Sequence, residues 1–287
     1  AGCNEGPFKT VVVTVNPTPR IDPVPASSIQ CDSLTTNIVL QSPSTFTAGQ
    51  VTFKFTATAT SGLNGWTPSG TNLPNGYVIA DNLINVSDSP QTVTYVITPV
   101  SPTGCADGPS QTVTVTVNPT PRINPVPGDA TICDNGTTNI VLQSPSTFTT
   151  GVITFKYTVV ATGGVTGFTT PVSGRPNNWV IADNLVNPTD APQTVTYTIT
   201  PVSPAGCNDG PSKVVVVTVN PTPRIFPLPV SSTQCDSTFT NIVLQSPSTF
   251  TGGNITFRYT ATSSDPGLTG FDASESGLPN GFVIADK

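Results

Sequence analysis

Six cysteines have the greatest chemical potential in this sequence, and their spacing is regular. Cys3, Cys105 and Cys207 form one set, Cys31, Cys133 and Cys235 a second, and within each set neighbours are 102 residues apart. There is no Cys-x-x-Cys, which argues against a metal cluster or a dithiol redox centre. Thiols so arranged suit structural disulfides in an oxidising compartment. Aspartate recurs in the same way, as Asp32, Asp134 and Asp236, as Asp81, Asp183 and Asp286, and as Asp107 and Asp209, with Glu5 in the matching place. Such carboxylates near a junction could hold Ca2+ and stiffen it. They lie beside Gly, Asn and Pro and outside any Asp-x-Asp-x-Asp loop, so turn capping is expected, with no cofactor and no metal. The chain has no His. That excludes a Ser–His–Asp triad, a Cys–His nucleophile and a His-ligated zinc. No catalytic residue is nominated, and no enzyme activity is expected.

The 287 residues include 31 Pro and 24 Gly, only 9% are charged, and the formal net charge is −6. Polarity comes instead from Thr, Ser and Asn. An acidic chain with so few Lys and Arg offers no footprint for nucleic acid. No run of apolar residues is long enough to span a membrane.

Self-similarity explains the length. Val13-Thr14-Val15-Asn16-Pro17-Thr18-Pro19-Arg20 returns at 115–122 and 217–224. The block Thr36-Asn37-Ile38-Val39-Leu40-Gln41-Ser42-Pro43-Ser44-Thr45-Phe46-Thr47 returns unchanged at 138–149 and 240–251. Val78-Ile79-Ala80-Asp81 returns at 180–183 and 283–286, one residue having been inserted before Phe271. A period near 100 residues fits a domain with its own core, not a solenoid unit. The boundaries are expected at the stiff Pro-x-Pro segments: Asn16, Pro17 and Pro19; Asn118, Pro119 and Pro121; Asn220, Pro221 and Pro223. The expected organisation is 1–16 as the C-terminal strand of a preceding repeat, repeats at 17–118 and 119–220, and a repeat from 221 that stops before its last two strands, as in a piece of a longer array.

Strand patterns dominate. Residues 51–56, 92–98 and 112–117 alternate apolar with polar, the mark of a half-buried strand. The last two are joined by a Pro- and Gly-containing loop as a hairpin. Six or seven short strands in roughly 100 residues predict an all-β, Ig-like sandwich repeated in tandem in a linear rod. The expected core of the first repeat is Ile38, Leu40, Val51, Phe53, Phe55, Ile79, Leu83, Val93, Tyr95, Ile97, Val113, Val115 and Val117.

Three motifs carry a family resemblance: Thr-Val-Thr-Val-Asn-Pro-Thr-Pro at the repeat end, Ile-Cys-Asp before Thr-Thr-Asn-Ile-Val-Leu, and Gln193 to Pro201 followed by Ala205-Gly206-Cys207. They resemble the PKD-like, Ig-fold repeats of giant cell-surface adhesins in Bacteroidota, such as the gliding-motility adhesins of the SprB type. The resemblance implies type IX export and display as a long filament on the outer cell surface. Neighbouring repeats of the same chain would then be its first partners, with extracellular surfaces or polysaccharide beyond them. Asp32-Ser33-Leu34 and Asp236-Ser237-Thr238 resemble a short O-glycosylation signal of the same bacteria, making Ser33 and Ser237 candidates for modification.

Cysteine connectivity follows from pole geometry. In an Ig-like repeat, Cys105 falls in the last hairpin, at the N-terminal pole, and Cys31 between the first two strands, at the C-terminal pole. Strands of eight residues separate the poles by about 25–30 Å. A disulfide needs Cα atoms within about 7 Å. A bond from Cys31 to Cys207 of the next repeat is therefore favoured. Same-repeat bonds, Cys31–Cys105 and Cys133–Cys207, remain alternatives, as does Cys3–Cys31.

Other recurrent positions have simpler expected roles. Lys54, Lys156 and Arg258 point outward on a strand and blunt aggregation. Arg20, Arg122 and Arg224 are candidates to pair with a carboxylate across the junction. Trp66, replaced by Phe168 and Phe271, and Tyr77, replaced by Trp179 and Phe282, are read as core in preference to exposed sugar stackers. The leading function is a structural and adhesive filament segment. The alternative is a spacer or carbohydrate-binding module array on a secreted polysaccharide-degrading enzyme.

Overall fold

The structure, a computed structural model, describes residues 2–22, 24–102, 104–124, 129–204, 206–226, 228 and 231–287. Ala205 of the third motif lies outside them. The described residues form strands and turns, with no helix. The chain divides into two compact units. The first is Ala1–Pro121 with Ser146–Val152 and Ser203–Asn208; the second is Arg122–Pro145, Ile153–Val202 and Asp209–Lys287.

The first repeat contains β1 (Ser27–Cys31), β2 (Leu34–Thr35), β3 (Ile38–Leu40), β4 (Thr52–Ala59), β5 (Leu63–Asn64), β6 (Ser69–Pro74), β7 (Tyr77–Ile79), β8 (Asn82–Asn85), β9 (Gln91–Val100) and β10 (Gln111–Asn118). One sheet has the order β1-β10-β9-β4-β6; the opposing layer is made of β3–β7 and β2-β8-β5. β9 and β10 form the expected antiparallel hairpin, with Val113 opposite Tyr95 and Val115 opposite Val93. β1 has no clear alternating pattern in the sequence. It joins the sheet in parallel with β10, Cys31 lying opposite Asn118.

Strand alternation drives the core. Every residue of the expected inward set is buried, and Ile21, Ala57 and Leu63 join it. Period-2 geometry sends Phe53, Phe55 and Ala57 inward and Lys54, Thr56 and Thr58 outward along β4. Tyr95 and Phe55 meet edge to face, with ring centroids 5.9 Å apart, an arrangement that adds to the burial of both rings.

The second repeat reproduces this plan with β11 (Ala130–Cys133), β12 (Gly136–Thr137), β13 (Ile140–Leu142), β14 (Thr154–Ala161), β15 (Val172–Pro176), β16 (Trp179–Ile181), β17 (Asn184–Leu185), β18 (Gln193–Val202) and β19 (Lys213–Asn220). Its large sheet has the order β11-β19-β18-β14-β15. The final stretch forms two strand pairs. β20 (Ile242–Leu244) pairs with β23 (Phe282–Ile284), and β21 (Thr256–Thr260) pairs with β22 (Ser274–Pro279). Leu244, Leu278 and Ile284 form a small core there. Residues 2–16, expected as a closing strand, pair with no strand among the described residues, and Val11, Val12, Val13 and Val15 are exposed.

Candidate functional site: the clamped Asn-Pro-Thr-Pro-Arg segments

Each Asn-Pro-Thr-Pro-Arg segment is held by the same partners. Two prolines remove two backbone donors and fix φ, so the segment depends on side chains and remaining main-chain groups for its place. In the first occurrence, the Asn16 Oδ1 accepts from Thr47 N and Oγ1, each at 3.1 Å, and Arg20 N donates to Ser44 Oγ at 3.0 Å. In the second, Asn118 Oδ1 accepts from Thr149 N at 3.0 Å and its Nδ2 donates to Thr149 Oγ1 at 3.1 Å. In the third, Asn220 Oδ1 accepts from Thr251 N at 3.1 Å, and Arg224 N donates to Ser248 Oγ at 3.0 Å. Ser144 Oγ donates to the Arg122 carbonyl, and Ser246 Oγ to that of Arg224. The Ser-Pro-Ser-Thr-Phe-Thr block is therefore the clamp for the proline segment.

The threonine of the segment is used too. Thr120 Oγ1 donates to Asp32 Oδ2 at 2.8 Å, while Asp32 Oδ1 accepts from Asn85 N at 2.7 Å. Thr222 and Asn187 N hold Asp134 in the same way, at 2.7 and 2.8 Å. Burial opposes the charge on Asp134, but the donors from Thr222, Asn187 and Asn135 outweigh it and hold this carboxyl below its usual range. Space is tight where the proline segment passes the hairpin loop. A Cβ on Gly108 would lie 1.9 Å from the Pro19 carbonyl oxygen, so only glycine fits there.

A further contact set recurs. The Asp88 carbonyl accepts from Thr147 N at 2.7 Å, both residues lying in the first unit. The Asp190 carbonyl accepts from Thr249 N at 2.8 Å, both lying in the second. Arg224 Nε pairs with Asp190 Oδ1 at 2.9 Å, and its Nη2 donates to the Pro188 carbonyl at 2.9 Å.

Cys31 and Cys207 are joined in a disulfide, with Cα atoms 5.5 Å apart. The segment Ser203–Asn208, which carries Cys207, belongs to the first unit, as does Cys31. The alternatives Cys31–Cys105, Cys133–Cys207 and Cys3–Cys31 are not formed, since each would need a sulfur already committed. Cys3, Cys133 and Cys235 are exposed thiols, and Cys105 is exposed as well.

The aspartates do three different jobs, not one. Asp32 and Asp134 stand in turns, but in place of the local capping expected, their carboxylates accept from residues distant in sequence, Asn85 and Thr120 for the first and Asn187 and Thr222 for the second. Asp81 and Asp183 are instead buried: Tyr95 donates its hydroxyl to Asp81 at 2.5 Å and Tyr197 to Asp183 at 2.7 Å. Thr67 adds its N–H and hydroxyl to Asp81, at 2.9 and 2.6 Å. Asp107 and Asp209 pair with Lys54 and Lys156 at 2.7 and 2.6 Å, and the hydrogen bond from Lys54 holds the Asp107 carboxyl below its usual value. No group of three or more His, Cys, Asp or Glu lies together among the described residues. Trp66 packs partly buried against the first core. Tyr77 and Trp179, read as core, are each 38% exposed, because β7 and β16 lie at the rim of the sandwich.

The role of the Ser-Pro-Ser-Thr-Phe-Thr block escapes a strand-pattern reading because it forms no strand. Its signal is present, however: three identical copies of a loop, where packing alone imposes no such constraint. Asp88 and Asp190 carry a weaker signal, since their carbonyls, which any residue supplies, accept from Thr147 N and Thr249 N.

The PKD-like domain family matches residues 29–121 and 130–223, more than half of the chain. This chain belongs to the PKD-like domain family. No curated protein matches it. Among solved structures it is similar to the EC22-24 segment of mouse cadherin-23, at 14% identity and a TM-score of 0.45, covering 94% of this chain and 88% of that one. It is also similar to the FN1-FN3 domains of chicken CNTN1, at 10% identity and a TM-score of 0.32, covering 94% and 90%. No helix among the described residues is long and apolar enough to cross a membrane.

One prediction follows from the clamp. Replacing Asn118 or Asn220 by Ala removes the acceptor for Thr149 N or Thr251 N, at a cost of about 1–2 kcal/mol. Hydrogen exchange at those two amides should accelerate by about tenfold, while the amides of β9 and β18 keep their protection.

Proposed function

We propose that the chain is a structural and adhesive segment of a long extracellular filament on a cell surface, a tandem of PKD-like spacers at 17–118, 119–220 and from 221. Residues 1–16 close a preceding repeat. The observation carrying this reading is that one set of hydrogen bonds, repeated at a 102-residue interval, fixes every Asn-Pro-Thr-Pro-Arg segment. Chains that need free swivelling between domains use flexible linkers; here proline and a matching clamp are spent on rigidity. A disulfide with a sequence separation of 176 fits an oxidising exterior. By register, Cys133 and Cys235 would bond to the hairpin cysteines of following repeats, giving a covalently stitched array. The finer reading is an adhesin of the gliding-motility type, exported by the type IX route, with Ser33 and Ser237 as glycosylation sites and no catalytic role.

Small-angle scattering of the full chain tests the spacer reading. The expected profile is that of one stiff particle, with a pair-distance distribution that broadens in the Asn118→Ala, Asn220→Ala double variant. A wild-type profile of freely hinged beads, unchanged by the double substitution, would refute it.

A further inference from the structure

Nine residues repeat almost without change in the three copies, and all the major departures fall in the second. Leu73-Pro-Asn-Gly-Tyr-Val-Ile-Ala-Asp81 and Leu278-Pro-Asn-Gly-Phe-Val-Ile-Ala-Asp286 bracket Arg175-Pro-Asn-Asn-Trp-Val-Ile-Ala-Asp183. Leucine has become Arg175, glycine Asn178, and Tyr or Phe has become Trp179.

The structure brings these three changes together at the rim where β15 turns into β16. Arg175 lies opposite Phe155, and Trp179 opposite Leu142. The Arg175 guanidinium carbon sits 4.3 Å from the centre of the Trp179 ring. Asn178 takes the left-handed φ of 68° that glycine supplies in the other copies, and its Oδ1 accepts from Gln143 Nε2 at 2.7 Å. An amide pair thus links the residue before Trp179 to the residue after its strand partner Leu142.

The hydrogen bond and the cation–π contact each give something back to the fold, but the arginine itself is costly there. The equivalent leucines do the packing without penalty: Leu73 lies against its core and Leu278 is buried. Arg175 Nε is buried with no hydrogen-bond partner. Such an orphan costs about 1–3 kcal/mol and calls for an explanation. Lys54, Lys156 and Arg224 are each paired with an aspartate, whereas Arg175 has no ion-pair partner among the described residues. Trp179 stays 38% exposed beside it.

We infer that this rim of the second repeat binds an acidic polysaccharide, with Arg175 taking the carboxylate of a uronic acid and Trp179 and the Gln143–Asn178 amides flanking its ring. A guanidinium recognises a carboxylate through paired N–H donors; with Nε enclosed, the pair that Arg175 offers is that of its two Nη groups. A half-exposed indole supplies an apolar face for a pyranose, and side-chain amides complement its hydroxyls. The inference deepens the adhesive part of the proposed function by naming a ligand class, and it confines the contact to one repeat.

The test is calorimetric titration of the full chain with oligogalacturonate, with neutral maltooligosaccharide and with an oligoglutamate peptide. Oligogalacturonate should bind and the neutral sugar should not. Arg175→Leu restores the residue found in the other two copies, so it should fold. It should weaken binding by about ten- to hundredfold, the worth of a charge-assisted hydrogen bond, while raising the thermal midpoint. Trp179→Tyr, the residue of the first copy, should weaken binding less. No binding by the wild type, undiminished binding by Arg175→Leu, or a midpoint lowered by that substitution would each overturn the inference. Equal or tighter binding of oligoglutamate would overturn the sugar class. Silence in this titration leaves the spacer reading standing, since scattering tests that separately.

Discussion

Above about pH 10 the chain is expected to lose stability by about 1.4 kcal/mol per pH unit for each of two tyrosines, Tyr95 and Tyr197. Both hydroxyls are fully buried and donate to buried carboxylates, Asp81 and Asp183. Burial first, then the hydrogen bond to and the charge of the aspartate, push both phenols far above their ordinary value. An unfolded tyrosine titrates near 10. A group whose folded pKa is raised holds its stabilising contribution in full below the unfolded pKa and loses it as pH climbs toward the folded one. The window therefore opens at about pH 10 and runs upward. Urea unfolding from about pH 8 to about pH 12 should show stability level and then falling, and the Tyr95→Phe, Tyr197→Phe double variant should lose most of that slope. At neutral pH each single variant should cost about 1–3 kcal/mol, because a buried carboxylate loses a donor while its charge remains. A slope unchanged in the double variant would assign alkaline sensitivity to other groups.

The second large effect concerns the bond between Cys31 and Cys207. Its sequence separation of 176 residues corresponds to about 5 kcal/mol in the chain-entropy account, an upper figure because engineered and native bonds often return less. Replacing both cysteines by Ser should lower stability against guanidinium by about 3–5 kcal/mol. Reductant should produce the same shift in the wild type and none in the variant. An unreduced peptide map should yield one fragment carrying both residues. A midpoint indifferent to reductant would remove the bond from any account of stability.

Much of the fold is legible because a β-sandwich writes itself into period-2 alternation. The inward set from Ile38 to Val117 can be named from apolar residues at every second position. β1 cannot, because Ser27-Ser28-Ile29-Gln30-Cys31 alternates weakly and is largely exposed at a sheet edge. The aspartates show where residue type falls short. Asp81 and Asp32 both stand among small and polar neighbours in sequence, yet one is buried against Tyr95, fourteen positions away, and the other accepts from Asn85 N and Thr120 Oγ1. Depth depends on which strands come together, and local composition does not encode it. The clamp is hidden for a related reason. Its bonds join groups 24 and 31 positions apart, as in Arg20 to Ser44 and Asn118 to Thr149, a separation unrelated to strand periodicity. One Arg in a short polar strand, Arg175 of β15, looks ordinary until its buried Nε is seen.

The parallel pairing of β1 with β10 has a mechanical consequence. The chain enters the first repeat through β1 and leaves it through β10, and the two run in the same direction in register from Ser27 opposite Thr114 to Cys31 opposite Asn118. Tension applied along the chain pulls these strands past each other lengthwise. Their hydrogen bonds are then loaded together in shear and cannot be peeled apart one at a time. The same pairing recurs where β11 meets β19, from Ala130 opposite Val217 to Cys133 opposite Asn220. These two repeats therefore place their most force-resistant geometry between entry and exit, with Cys31 or Cys133 at the end of the entering strand, where a crosslink would take up load before the sheet does.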